Sequence, residues 1–162
     1  MGVPHNLPPA SIRRATPEDA AAVLRCLAEA FEPFRNQYSR EGFEDTTLTE
    51  STIAARLSSM DVFVAEIAAG VVGTIATSVV SPDEGHLRGM AVLPDWQGHG
   101  IAEQLLDFAE SHLRKLGCAR VTLDTTVPLQ RAIRFYEKHG YRATGKVGDF
   151  YGMPLYEYAK RL

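Results

Sequence analysis

The sequence predicts an α/β domain: one mixed, mostly antiparallel sheet with helices on both faces. Three observations carry this reading. Residues 61–80 are apolar and rich in β-branched side chains, with a glycine turn near the middle, the pattern of a hairpin. Residues 90–116 pass from a strand through a glycine-containing loop into a helix with a clear apolar stripe. A further strand follows that helix, and strands joined by a helical crossover lie parallel. A chain of 162 residues suits one such domain.

The elements follow in order. Residues 1–10 hold three prolines and read as a flexible arm, with the domain spanning 11–162. Ser11 to Ala15 alternate as a short strand. Thr16-Pro17-Glu18-Asp19 opens a helix, with Thr16 as N-cap and Pro17 at the first helical position. Val23, Leu24, Leu27 and Phe31 give it an apolar face, and Pro33 ends it. Residues 32–50 show no dominant period. A second helix runs from about Thr49 to Ser59 on Ile53, Ala54 and Leu57. Strands are read at Asp61–Ala68, Val71–Val80 and Gly85–Leu93. The next helix carries Ile101, Leu105, Phe108, Ala109, His112, Leu113 and Leu116 on one stripe, and Gly117 stops it. Arg120–Thr125 is a strand, Leu129–His139 a helix ended by Gly140, and Tyr141–Val147 and Met153–Ala159 are the last strands. The strand edge near the C-terminus offers a surface for pairing with a second copy as a homodimer.

Composition excludes several classes. Hydrophobic residues make up 45% and charged residues 23%, which argues against disorder. A net charge of −3 argues against general nucleic-acid binding, which needs a basic surface. Two cysteines, Cys26 and Cys118, cannot build a disulfide framework, so a reduced, cytoplasmic setting is expected. The first residues lack the charge and apolar run of a secretory signal, and Asn6 breaks the myristoylation pattern. The tract Val62–Val80 is interrupted by Glu66 and two glycines and reads as strands, so no membrane span is expected. His5, His112 and His139 have no ligand-like spacing, so no metal site is expected. No serine-hydrolase elbow is present.

The most informative stretch is Met90 to Ala102, MAVLPDWQGHGIA. Gly98 and Gly100 stand where a helix opens. A helix start presents unpaired N–H groups and the positive end of its dipole, which together suit an anion such as phosphate. A tight turn alone would also use these glycines. The dinucleotide fingerprint is excluded because Glu103 occupies the third small position, and no Gly-Lys-Ser/Thr run exists for a nucleotide loop.

Gln97-x-x-Gly100-x-Ala102 resembles the acyl-CoA-binding motif of the GNAT N-acetyltransferase superfamily, Q/R-x-x-G-x-G/A. The stretch AIRFYEKHGY, residues 132–141, is similar to that family's penultimate helix. The two motifs stand in the family's order, and the likeness covers nearly the whole chain from Ser11. The resemblance implies the GNAT acyl-CoA N-acyltransferase fold and acetyl-CoA as co-substrate, with no metal. It implies cofactor contacts from Met90, Ala91 and Val92 on the strand and from Gln97, Gly98, His99, Gly100, Ile101 and Ala102 in the loop. Many members carry an asparagine at the start of the penultimate helix. Here Pro128-Leu129-Gln130 stands there, and Gln130 is the residue able to replace the amide.

Aminolysis of a thioester needs a neutral amine, a donor to the carbonyl oxygen and a proton for the departing thiolate. Tyr136 matches the family's tyrosine near the sulfur and is the candidate acid; a core aromatic is the plainer role. His86 falls where many members place a glutamate and is the candidate base, with Glu84 in reserve. A strand histidine hydrogen-bonded to a neighbour is as good an account of His86. Gly89 marks a possible bulge beside it. The main-chain N–H of Val92 would polarise the carbonyl, as the resemblance implies.

The acceptor is expected to be a small-molecule or peptide amine. Glu32, Glu41, Glu44, Asp45 and Glu50, with Phe34, Tyr38 and Phe43, suit a cationic one. In the family this region and the loop before the last strand, Gly148 to Gly152 here, wall the acceptor site. The expected reaction is direct attack of the amine on acetyl-CoA in a ternary complex. The alternatives are transfer of another acyl group, a protein amine as acceptor, or a CoA-binding sensor without catalysis.

Overall fold

A computed structural model describes residues 10–162, so the expected arm falls outside the described residues except for Ala10. The strands are β1 (Ser11–Arg14), β2 (Asp61–Ile67), β3 (Gly70–Ser81), β4 (Glu84–Val92), β5 (Arg120–Thr125), β6 (Arg142–Phe150) and β7 (Met153–Arg161). The helices are α1 (Ala20–Phe31), α2 (Arg40–Thr47), α3 (Glu50–Ser59), α4 (Ile101–Lys115) and α5 (Gln130–Lys138). All seven strands join one sheet in the order β1-β2-β3-β4-β5-β7-β6. Every neighbouring pair is antiparallel except β4–β5, which the α4 crossover makes parallel as expected.

Two elements differ from the sequence reading. Residues 40–47 form α2, capped by Ser39, whose hydroxyl accepts from the Gly42 N–H at 3.2 Å. Only Gly42, Phe43 and Thr47 of this helix are buried, too few to write a period into the sequence. The second difference is β6, which continues through Phe150. The loop expected at Gly148–Gly152 therefore shrinks to the turn Tyr151-Gly152, where φ is +50° and +90°. Two positive φ values suit the right-handed twist of a tight hairpin.

Helices cover both faces of the sheet. A side chain at Gly85 or Gly73 would run into Leu113, Leu105 and Ile101 of α4. A side chain at Gly89, on the other face, would meet Leu27 of α1 and Arg56 of α3. The central strands β2 and β3 are accordingly buried on both sides, and Val64, Ala65 and Ile75 have no exposed surface. Leu105, Leu106 and Leu113 anchor α4 in this core, each worth about 1.5–3 kcal/mol of burial. Phe108 and Leu116, expected on the same stripe, lie at its margin and stay exposed. Cys26 and Cys118 are buried free thiols. Among the described residues, no helix is long and apolar enough to cross a membrane.

One buried polar network joins α4 to the far half of the sheet. Glu110, nearly inaccessible, accepts from the Tyr141 hydroxyl at 2.7 Å and from Lys160 Nζ at 2.9 Å. Burial, then the Glu110 carboxylate, push the Tyr141 phenol well above its ordinary value. The Tyr141 ring supports the edge of Tyr136 at a centroid distance of 5.6 Å. Tyr141→Phe leaves the ring and removes one donor from a buried carboxylate. We expect a loss of about 1.5–3 kcal/mol with an unchanged urea m-value, measured by equilibrium unfolding.

Candidate active site

The β4–β5 ladder runs from Glu84↔Arg120 to Leu87↔Leu123 and stops there. Beyond it the two strands diverge. The register of β3 against β4 slips between Ala76↔Arg88 and Thr74↔Ala91, and Gly89 adopts φ +62° at the slip. This is the bulge that the glycine allows: an extra residue bends β4 away from its neighbour. A cavity of about 930 Å³ opens in the gap.

Backbone direction follows from the hydrogen bonds. The Leu93 N–H donates to Val72 O at 2.8 Å, toward β3. Neighbouring residues of a strand alternate, so the Val92 N–H faces the gap. The Val92 carbonyl also faces it and accepts from Gln97 Nε2 at 3.0 Å. Gln97 thereby pins the loop to the strand end. Arg131, from α5, donates to Gln97 Oε1 at 3.3 Å and brings positive charge to the same corner.

Gly98 and Gly100 have φ of +81° and +83°. Gly100 is the N-cap of α4, and its carbonyl accepts from Gln104. The N–H groups of Ile101, Ala102 and Glu103 precede that first bond and are free for a ligand. No protein atom would obstruct a side chain at Gly98, so open space lies over the loop. The arrangement fits a pyrophosphate on the backbone amides, and the unpaired stretches of β4 and β5 behind it fit the amides of a pantetheine arm.

His86 lies in β4 one position before the end of the ladder. Its Nδ1 is 2.8 Å from Thr122 Oγ1, and its Nε2 is 3.6 Å from Asp124 Oδ2. Burial pushes the imidazole below its ordinary value of 6.5, and Asp124 opposes that shift. Tyr136 reaches the same cavity from α5. Among the described residues its hydroxyl has no hydrogen-bond partner, and burial pushes it well above the usual phenol range. It is therefore a protonated donor at neutral pH.

The cavity wall brings together His86, Met90, Ala91, Val92, Gln97, Gly98, Gly100, Ala102 and Tyr136. His99 and Ile101 are off the wall: the His99 ring lies tilted beside Trp96, and Ile101 packs in the core, so its contribution is limited to its N–H. Gln130 is also off it, with its Nε2 bound to Val127 O at 2.7 Å, closing its own turn. Glu84 is tied to Arg120 at 2.8 Å and does not reach the cavity. The acidic acceptor wall needs correction too. Glu32 pairs with Arg35, Glu44 with Arg40 and Asp45 with Arg88, and none of the five acids lines the cavity. Phe34 and Tyr38 line the cavity, while Phe43 is buried. Among the described residues no cluster of side chains is suited to a metal ion.

Sequence reasoning missed Asp124, Thr122, Arg131 and Arg56. Thr122 and Asp124 alternate as polar residues on an inner strand, a signal that one face of that strand meets a cavity. Arg56 stands on the apolar stripe of α3, three residues after Ile53.

A parallel pair that parts over a helix start with free N–H groups, with an imidazole and a phenol on the wall of the gap, is the architecture of an acyl-CoA-dependent acyltransferase. The family model for the acetyltransferase (GNAT) family matches residues 23–141, and the chain belongs to that family. Over 144 residues, 84% of the chain and 87% of the relative, it is 27% identical to aminoalkylphosphonate N-acetyltransferase of Salmonella typhimurium. Over 150 residues it is 29% identical to aminoglycoside N(6′)-acetyltransferase type 1 of Stenotrophomonas maltophilia, covering 90% of the chain and 94% of the relative. The fold superposes with a TM-score of 0.75 on an N-acetyltransferase from Thermoplasma acidophilum in complex with coenzyme A. That match is 20% identical and covers 94% of this chain and 98% of the other.

The His86 environment is directly testable. By NMR titration its imidazole should ionise below 6.5. Asp124→Asn removes the charge that favours the imidazolium and should lower the midpoint further. A midpoint at or above 6.5 in the wild-type protein would contradict the buried placement of the ring.

Proposed function

We propose that the protein transfers an acetyl group from acetyl-CoA to a primary amine by direct attack in a ternary complex. The observation that carries this reading is the divergence of β4 and β5, which puts the Val92 N–H, His86, Tyr136 and the start of α4 around one cavity. Acetyl-CoA, when bound, supplies the activated acyl group as a thioester. The free N–H groups at 101–103 and the glycines at 98 and 100 would hold its pyrophosphate.

The remaining steps belong to side chains and backbone of this chain. An arriving ammonium is attracted by Asp124 and loses its proton to His86, which burial keeps neutral. If the Nδ1–H donates to Thr122, the Nε2 lone pair faces the substrate. The Val92 N–H donates to the carbonyl oxygen as charge develops there. The C–N bond forms and the C–S bond breaks. Tyr136 donates its proton to the thiolate, the nitrogen's second proton passes through solvent to restore the Tyr136 hydroxyl, and the proton on His86 leaves through solvent.

The relatives do not fix the acceptor. One is named for an amine bearing a phosphonate and the other for an aminoglycoside, which is polycationic. The free edge of β6, exposed over most of its length, supports pairing with a second copy. Buried free thiols support a reducing, cytoplasmic setting.

Two substitutions test the reading. Gly100→Asp places a carboxylate beside the anion site, so the rise in melting temperature caused by CoA should vanish while the fold, followed by circular dichroism, persists. Undiminished binding would remove the loop from the site. Tyr136→Phe should leave CoA affinity unchanged and lower kcat and kcat/KM together by about 10²-fold, measured by thiol release. Tight CoA binding without thiol release from any amine would instead favour a sensor.

A further inference from the structure

Arg56 is a charged side chain without a counter-charge of its own. It is 8% exposed, on the face of α3 turned to the sheet, and it lines the cavity. Among the described residues no carboxylate lies within 4 Å of its guanidinium and no oxygen accepts a hydrogen bond from it. The surface arginines of the acceptor side are different: Arg35, Arg40 and Arg88 each hold a carboxylate. Asp45, the acid with the strongest pull on Arg56, is already bound to Arg88. Burial and the neighbouring Arg88 lower the Arg56 value to about 10, which still leaves it charged at neutral pH.

A buried guanidinium presents five N–H donors, and leaving them unpaired is costly. The fold keeps space for this one. Gly89 has no side chain, and a Cβ there would stand 2.8 Å from Arg56 Nη1. The bulge that opens the active site thus also admits the guanidinium beside β4. The position is on the acceptor side. It lies on the α1–α3 face of the sheet, shared with His86 and Arg88, whereas the anion loop at 97–103 lies beyond the end of β4.

We propose that Arg56 anchors an acidic group of the acceptor, so that the substrate is a small amine carrying a carboxylate or a phosphonate. This rests on the acetyltransferase reading given above. The amine end meets Asp124 and His86, and the acidic end meets the fork of Arg56. Gly89 is three residues along the strand from His86, about 10 Å, so one small molecule spans both groups. A carboxylate and a phosphonate share the oxygen geometry that a guanidinium grips in pairs.

The test compares matched acceptors in the thiol-release assay: β-alanine, 2-aminoethylphosphonate, propylamine and spermidine. For the wild-type enzyme, kcat/KM for at least one of the two acidic amines should exceed that for propylamine and spermidine by about 10²-fold, the scale of a charged two-point contact. The two acidic compounds separate carboxylate from phosphonate. Arg56→Met should bring the ratio of acidic to neutral amine close to one, mostly through KM, and Arg56→Lys should restore part of it. A purely structural arginine would lower all acceptors alike and leave the ratio unmoved, which would overturn the proposal. A second measurement does not depend on the variant folding. Propionate or propylphosphonate, lacking the amine, should inhibit the wild-type enzyme competitively against the acceptor and not against acetyl-CoA. Competition against acetyl-CoA would assign Arg56 to the cofactor and overturn the proposal. Preference for propylamine or spermidine would overturn it while keeping the transferase, and failure of every amine to release thiol would end both readings.

Discussion

The parting of β4 from β5 is the constraint on which the site depends. Parallel neighbours that stayed paired would have every inward N–H and carbonyl consumed by the ladder. Pairing ends at Leu87↔Leu123, and from there β4 has backbone groups to spare. Gly89 makes the divergence possible, because its φ of +62° is unfavourable for a residue with a side chain. Three residues earlier, the ladder is intact and holds His86 against Thr122. The site therefore combines a paired strand under His86 with a strand end whose backbone groups are free.

Much of this was legible in the sequence, for physical reasons. Strong periodicity in α4 and the alternation around the hairpin reflect large buried areas, and buried area is what patterning records. Gly98, Gly100 and Gly89 were legible because positive φ values demand them. α2 was not legible, since it buries only Gly42, Phe43 and Thr47 and is held by its Ser39 cap. The reach of β6 was hidden for a related cause: Gly148 and the residues after it read as a loop, and the strand is held by β7 on one side only. The partners of a charge were the least legible feature. Five acids in residues 32–50 suggested a cationic acceptor, yet the structure ties Glu32, Glu44 and Asp45 to arginines and keeps all five off the cavity wall.

On the proposed reading, two kinds of negative charge would be held at separate places. The loop at 97–103 offers main-chain N–H groups and a helix dipole at the mouth of the gap. Arg56 offers a side-chain fork on one face of the sheet. Asp124 stands beside His86. Under that reading, such a layout would orient a substrate by charge before any shape-specific contact forms.

The strand order carries a consequence for how the chain folds. Strands β1 to β4 meet partners that can dock without waiting for later sequence, through β2–β3 and β3–β4 hairpins. β5 can lean on β4 after α4 forms, but its other edge stays open until β7 arrives, because β7 inserts between β5 and β6. Contacts such as Thr125↔Tyr156 and Arg120↔Arg161 span long loops and form late in any sequential assembly. The bond from the Leu162 N–H to Ala119 O closes the last of them. The cavity lined by Asp124 and Tyr136 is thus completed by Leu155 of the final strand, so a chain stalled before β7 would hold the glycine loop at 97–103 without a finished cavity.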